Sequence, residues 1–297
     1  MDRSLKIGII SGAIAGIVLG IFMEVFSQIA ISIGFYEEWL KPLIINNFLV
    51  NIPLFVFWGI VLGVIYSKVH SLIPGKGVLK GLVYGLFLYV ILIIRGDTFM
   101  IPYGLFLMVA GDLFSGIFIW PAYGLALGFF YQFLHNKYYP TKEEPKIITY
   151  PMKSGLLPGA IAGLMEGVAA GFVSVIGHLT GRWGVPVSGE IISTIGFWAS
   201  QFGTHMLINM IWGTVFGAFF ALVYNLVPGK KVLKGLYFGL LMFFITTFQI
   251  YIWFIVWSAN HGAWQLVSVW ILNIFVYGFD FVVFGLVLGL LYRKPTK

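Results

Sequence analysis

A chain of 297 residues with 60% hydrophobic and 10% charged side chains, at a mean hydropathy of +0.96, has too little polar surface to coat a water-soluble globule. Its formal net charge of +7 is spread between long apolar runs, which excludes a nucleic-acid reading and points instead to topology and contact with anionic headgroups on the cytoplasmic side. With no cysteine in the chain, disulfides and thiolate metal centres are excluded as well.

Crossing about 30 Å of hydrocarbon takes about 20 helical residues. Runs of that order lie near Ile7–Gly34, Ile45–Val69, Val78–Ile94, Ile101–Leu134, Leu156–Leu179, Ile195–Tyr224, Val232–Trp257 and Leu266–Tyr292. The first follows Arg3 and Lys6 as a signal peptide would, yet it is about twice a usual apolar signal core, so it is expected to be retained. Helices are expected throughout, because lipid offers the backbone no hydrogen-bond partner and alternating strand-length segments are missing.

The fifth run restarts the first. Gly8, Gly12, Gly16 and Gly20 recur as Gly155, Gly159, Gly163 and Gly167 with the same Gly-Ala-Ile-Ala-Gly string. Leu72–Gly81 is matched by Leu226–Gly235, and Gly124-Leu-Ala-Leu-Gly128 by Gly285-Leu-Val-Leu-Gly289. The fold class expected is therefore an all-α integral membrane protein of eight transmembrane helices. It divides into a four-helix repeat over 1–134, a cytoplasmic linker over 135–152 and a second four-helix repeat over 153–297. An even number of spans per repeat makes the duplication parallel, about a pseudo-twofold axis along the membrane normal.

Lys and Arg gather in cytoplasmic loops. Counting from a cytoplasmic N-terminus, only Lys41, Arg95 and Arg182 of the 18 basic residues fall on the far side. This places both termini in the cytoplasm and the chain in the cell membrane.

Glycines four apart let helix backbones approach closely. Such pairs occur in every run, and Gly12, Gly16, Gly20, Gly159, Gly163 and Gly167 are expected to be packing positions, in the manner of a glycine zipper. Pro121 inside the fourth run is expected to bend it by freeing the carbonyl of Ile117.

Three of these ladders run on into polar residues toward the outer leaflet: Glu24 and Gln28; Asn51 and Asn47; and Asn209, His205 and Gln201. At about 1.5 Å per residue Glu24, Asn51 and His205 lie about 26–28 Å from the inner ends of their spans, which predicts a polar pocket in the outer half of the bundle. The bland alternative is headgroup-level polarity with interhelical hydrogen bonds of about 0.6–2 kcal/mol each.

Deeper, Asp112, Glu166 and Asp280 are intramembrane carboxyls, about 16–18 Å from a span end. Leaving one ionised there costs about 3 kcal/mol or more. Asp112 aligns with Asn273, whereas Glu166 and Asp280 align with Leu19 and Ile119 and belong to the second half alone. They form the natural relay for a proton or cation, against the alternative of a neutral acid in a structural hydrogen bond.

No cofactor and no metal site is expected: His70, His135, His178 and His261 sit at span ends, in surroundings unlike those of a bis-histidine haem. The motifs His-Glu-x-x-His and Gly-x-Ser-x-Gly do not occur, so an enzyme ranks last. The leading expectation is a permease for a small solute or ion, with intramembrane carboxylates lining a path between the repeats. Competing expectations are a non-catalytic subunit or scaffold packed against membrane-protein partners, and a lipid-handling protein.

Overall fold

A computed structural model of the chain describes residues 3–35, 48–98, 106–138, 149–179, 195–260 and 264–294. All regular structure among them is helical. The chain forms two compact units, Met1–Ile147 and Ile148–Lys297.

In the first unit, α1 is Arg3–Ser32, α2 is Phe48–Val69, α3 is Val78–Thr98 and α4 is Phe106–Tyr138. A 3-10 turn, His70–Leu72, closes α2, and α3 contains a π-helical turn at Val90–Ile94. In the second unit, α5 is Lys153–Leu179 and α6 is Ile195–Val223. There α7 runs Val232–Phe243, a π-helical turn Phe244–Phe248 and Gln249–Asn260, and α8 is Trp264–Leu291. Seven helices among the described residues are long and apolar enough to cross a membrane; α7 contributes only the shorter apolar helix Val232–Phe248 to that count. The chain is thus a polytopic all-helical membrane protein.

One of the expected boundaries needs correction. The third run was expected to end at Ile94, but α3 continues through Arg95 and Asp97, each only 7% exposed. A charged pair marks a span end only when it reaches water, and here it is covered. Pro121 lies within an uninterrupted α4. Asn47 lies outside the described residues.

Packing in each unit starts from glycine. In the first unit α1 packs on α2 and α4, and α3 packs on α4. A Cβ added to Gly59 would sit 2.6 Å from the Cα of Gly16, and one on Gly63 2.7 Å from the Cα of Gly12. On the α3–α4 side, a Cβ at Gly124 would lie 2.8 Å from the Cα of Gly85. In the second unit α5 packs on α6 and α8, and α7 on α8. There a Cβ at Gly213 would lie 2.6 Å from the Cα of Gly163, and one at Gly239 2.9 Å from the Cα of Gly285. Side chains cannot enter contacts this tight, so dispersion between backbones replaces the hydrophobic drive that lipid removes.

Tyrosine hydroxyls tie the first unit across helices. Tyr84 donates to the carbonyl oxygen of Leu62 at 3.0 Å, and Tyr123 to that of Gly59 at 3.2 Å. Tyr123→Phe is expected to cost about 0.6–2 kcal/mol, the range of a single interhelical hydrogen bond in a bundle; thermal unfolding of the two proteins in one detergent reads it directly. At the end of the second unit, beyond α8, Lys294 hydrogen-bonds to Tyr150, which holds its ammonium above the ordinary lysine range.

Candidate functional site: buried carboxyls

Two arrangements of buried acids stand out, one in each unit. In the first, the side chains of Asp97 on α3 and Asp112 on α4 lie beside each other, within reach of a shared hydrogen bond. Two carboxyls can bond in this way only if one of them carries a proton, because a carboxylate has no donor. Oδ2 of Asp97 is buried and accepts no hydrogen bond among the described residues. Tyr89 approaches from two turns before, its hydroxyl donating to the carbonyl oxygen of Leu113 at 3.1 Å, and lies in the field of Asp97. Asp97 follows directly on the π-helical turn Val90–Ile94, a geometry that recurs at functional sites. Sequence reasoning missed Asp97. The available signal was the Arg95-Gly96-Asp97 string, two opposite charges on one turn beside an apolar run.

In the second unit, Glu166 is 3% and Asp280 2% exposed. Their common level follows from helix directions. Close approaches run from Gly155 with Gly217 to Gly167 with Met206, so α5 and α6 are antiparallel. The rings of Phe216 and Phe220 on α6 meet those of Phe284 and Tyr292, so α6 and α8 are parallel. Helices α5 and α8 are therefore antiparallel, joined at one end where the hydroxyls of Ser154 and Tyr292 are 3.2 Å apart.

From that contact Glu166 lies three steps of four along α5, through Pro158 and Ala162, and Asp280 three steps of four back along α8, through Leu288 and Phe284. Each is about 18 Å from the contact at 1.5 Å per residue. Residues four apart form a continuous ridge, and Ala162, Leu288 and Phe284 are all fully buried on it. Both acids therefore stand at one depth of one helix pair.

The matching ridges of the first unit are Ile7, Ser11, Ala15 and Leu19 on α1, and Tyr131, Leu127, Tyr123 and Ile119 on α4, every one of them buried. These end in Leu19 and Ile119 where the second unit has Glu166 and Asp280. Asn273, which aligns with Asp112, is fully buried on α8.

The outer polar residues are placed as follows. Gln28 donates to Oε1 of Glu24 at 3.1 Å along α1, with Gln28 exposed and Glu24 half-buried. Gln201 on α6 accepts from the Ser174 hydroxyl on α5 at 2.6 Å. His205 is half-buried and Asn209 buried on α6. The backbone carbonyls of His205 and Asn209 face the glycines of α5, the former 2.6 Å from where a Cβ of Gly167 would stand. Asn51 lies in α2. Among the described residues no three His, Cys, Asp or Glu side chains converge as metal ligands.

No protein-family model matches the chain, and no curated protein or solved structure resembles it significantly.

Proposed function

We propose that this membrane protein is a permease for protons or a small cation or solute coupled to them, built as two four-helix repeats of eight spans with both termini cytoplasmic. Its path is lined by intramembrane carboxyls. The observation that carries the reading is the juxtaposition of Asp97 and Asp112 inside apolar helices, two acids able to share a proton where ionised groups are costly. Glu166 and Asp280, buried at one depth of α5 and α8, support it as a second station. Glu24, Gln28, Asn51, Gln201, His205 and Asn209 supply polar groups nearer the expected outer ends of their spans. Hydrogen-bonded acids exchange a proton by switching donor and acceptor, and a group that alternates between neutral and charged forms can gate a step of transport.

Liposomes holding a pH-sensitive dye test the proposal. Under an imposed potential the full chain should acidify or alkalinise the lumen faster than protein-free vesicles. Asp112→Asn should slow that flux by about a hundredfold, the low end of what a positioned proton-transfer group contributes. Flux no greater than that of empty vesicles, or unchanged in the variant, would defeat the reading.

A second reading, an integral scaffold for a larger complex, draws support from the packed ridges on which Glu166 and Asp280 stand, since a neutral acid can serve there as an interhelical tie. It expects partners to copurify and no flux in liposomes.

A further inference from the structure

At the end of the first unit opposite to Asp97 and Asp112, a cleft of about 300 Å³ opens between the α2–α3 turn and the last turns of α4. That volume is at the lower end of small-ligand sites. Its polar lining is supplied by His70, Lys76, Lys80, Gln132, His135 and Asn136, and among the described residues no carboxylate contributes. We infer that this cleft binds a phosphate group, taken either from a lipid headgroup or from free phosphate.

The walls are built rather than incidental. Tyr131 is buried and stands between the two imidazoles, with ring centroids 4.8 Å from His70 and 6.1 Å from His135. His70 also packs edge-on to Tyr66 at 5.2 Å. Lys80 donates from Nζ to the carbonyl oxygen of His70 at 2.9 Å, which fixes the ammonium over the cleft. Gly77 has φ +56°, and a Cβ there would press on Gln132, 3.1 Å from its Cδ. Glycine at that position is what lets the Gln132 amide reach the lining. Two ammonium groups, two imidazoles and two amides suit an anion of several oxygens, because charge-assisted hydrogen bonds are the strong ones.

The second unit closes the same place. Lys231, with φ +41°, stands where the first unit has Gly77, and Tyr224 where it has His70. The rings of Tyr224 and Tyr292 are 5.0 Å apart, and Nζ of Lys234 lies 4.6 Å from the Tyr224 centroid while donating to the carbonyl oxygens of Tyr224 and Val227. Its lysine is consumed by carbonyls and a ring. In the first unit the corresponding residues line an open volume.

Two measurements on the full chain separate the sources: equilibrium binding of orthophosphate in a neutral detergent, and retention of phosphatidic acid over phosphatidylcholine from mixed vesicles. Lys76→Gln removes an exposed ammonium and should leave the fold alone. His70→Tyr installs the residue of the second unit. Each should weaken binding about tenfold or more, as expected for losing a charged hydrogen bond. Lys137→Gln, on an exposed lysine of α4 outside the cleft, should change nothing. Orthophosphate binding that Lys76→Gln weakens supports the inference with free phosphate as ligand; lipid preference alone, weakened by the same variant, supports it with the headgroup. Wild-type protein that shows neither, or binding equal in wild type, Lys76→Gln and His70→Tyr, overturns it.

Discussion

Replacing Glu166 by leucine and Asp280 by isoleucine together should leave a well-folded protein that no longer conducts. The pair Leu19 and Ile119 already occupies the matching positions of the first unit, at 3% and 1% exposure, so the ridges of α5 and α8 have an apolar solution built into the same chain. Removing both buried acids takes away two desolvation penalties at once. Exchange of buried charged groups for packed apolar ones is often neutral or stabilising by about 1–4 kcal/mol. Flux in liposomes should nonetheless fall by about a hundredfold or more, the contribution of a positioned proton donor and acceptor. A double variant that melts no lower than the wild type and still conducts at full rate would strip the second unit of any part in transport.

The largest loss of stability is expected where backbones touch. Gly59→Val would place its Cβ 2.6 Å from the Cα of Gly16, where no flexible side chain can yield. Overpacking an ordinary core costs about 1–3 kcal/mol, and here two whole helices must separate, so the loss should exceed about 3 kcal/mol. Gly203→Ala is the matched control: nothing lies within 4 Å of a Cβ at that position of α6. Relieving the backbone entropy of a mid-helix glycine should stabilise it by about 0.5–1 kcal/mol. Unfolding in mixed micelles of increasing dodecyl sulfate fraction would separate the two variants in opposite directions from wild type; equal midpoints would show that the close approach carries little of the stability.

Apolar run length and glycine spacing are local properties, so most helices could be placed from the sequence before any contact was known. Where charge was taken as the mark of an interface, the reasoning failed: Arg95 and Asp97 sit in a covered turn of α3, and no pattern of residues announces the π-helical turn that precedes them. Nothing local marks Tyr84 and Tyr123, since their role depends on carbonyls of α2 distant in the chain. The depth of Glu166 and Asp280 was readable from rise per residue, but their common level on one helix pair required the Ser154–Tyr292 contact to set the register. His70 and His135 read as span-end residues; the ring of Tyr131 between them, and hence the cleft, is a tertiary feature.

The wide turn at Val90–Ile94 holds a surplus residue relative to the α-helical repeat. Were it to tighten, everything beyond would swivel by about 100°, the angle one residue subtends in an α-helix. Asp97 rides on that downstream piece, so such a slip would part it from Asp112 and present the acid to a different side of α3, with the apolar backbone bonding kept nearly whole. A carboxyl mounted after an adjustable coil behaves as a crank: a small change of winding converts into a change of address for a proton.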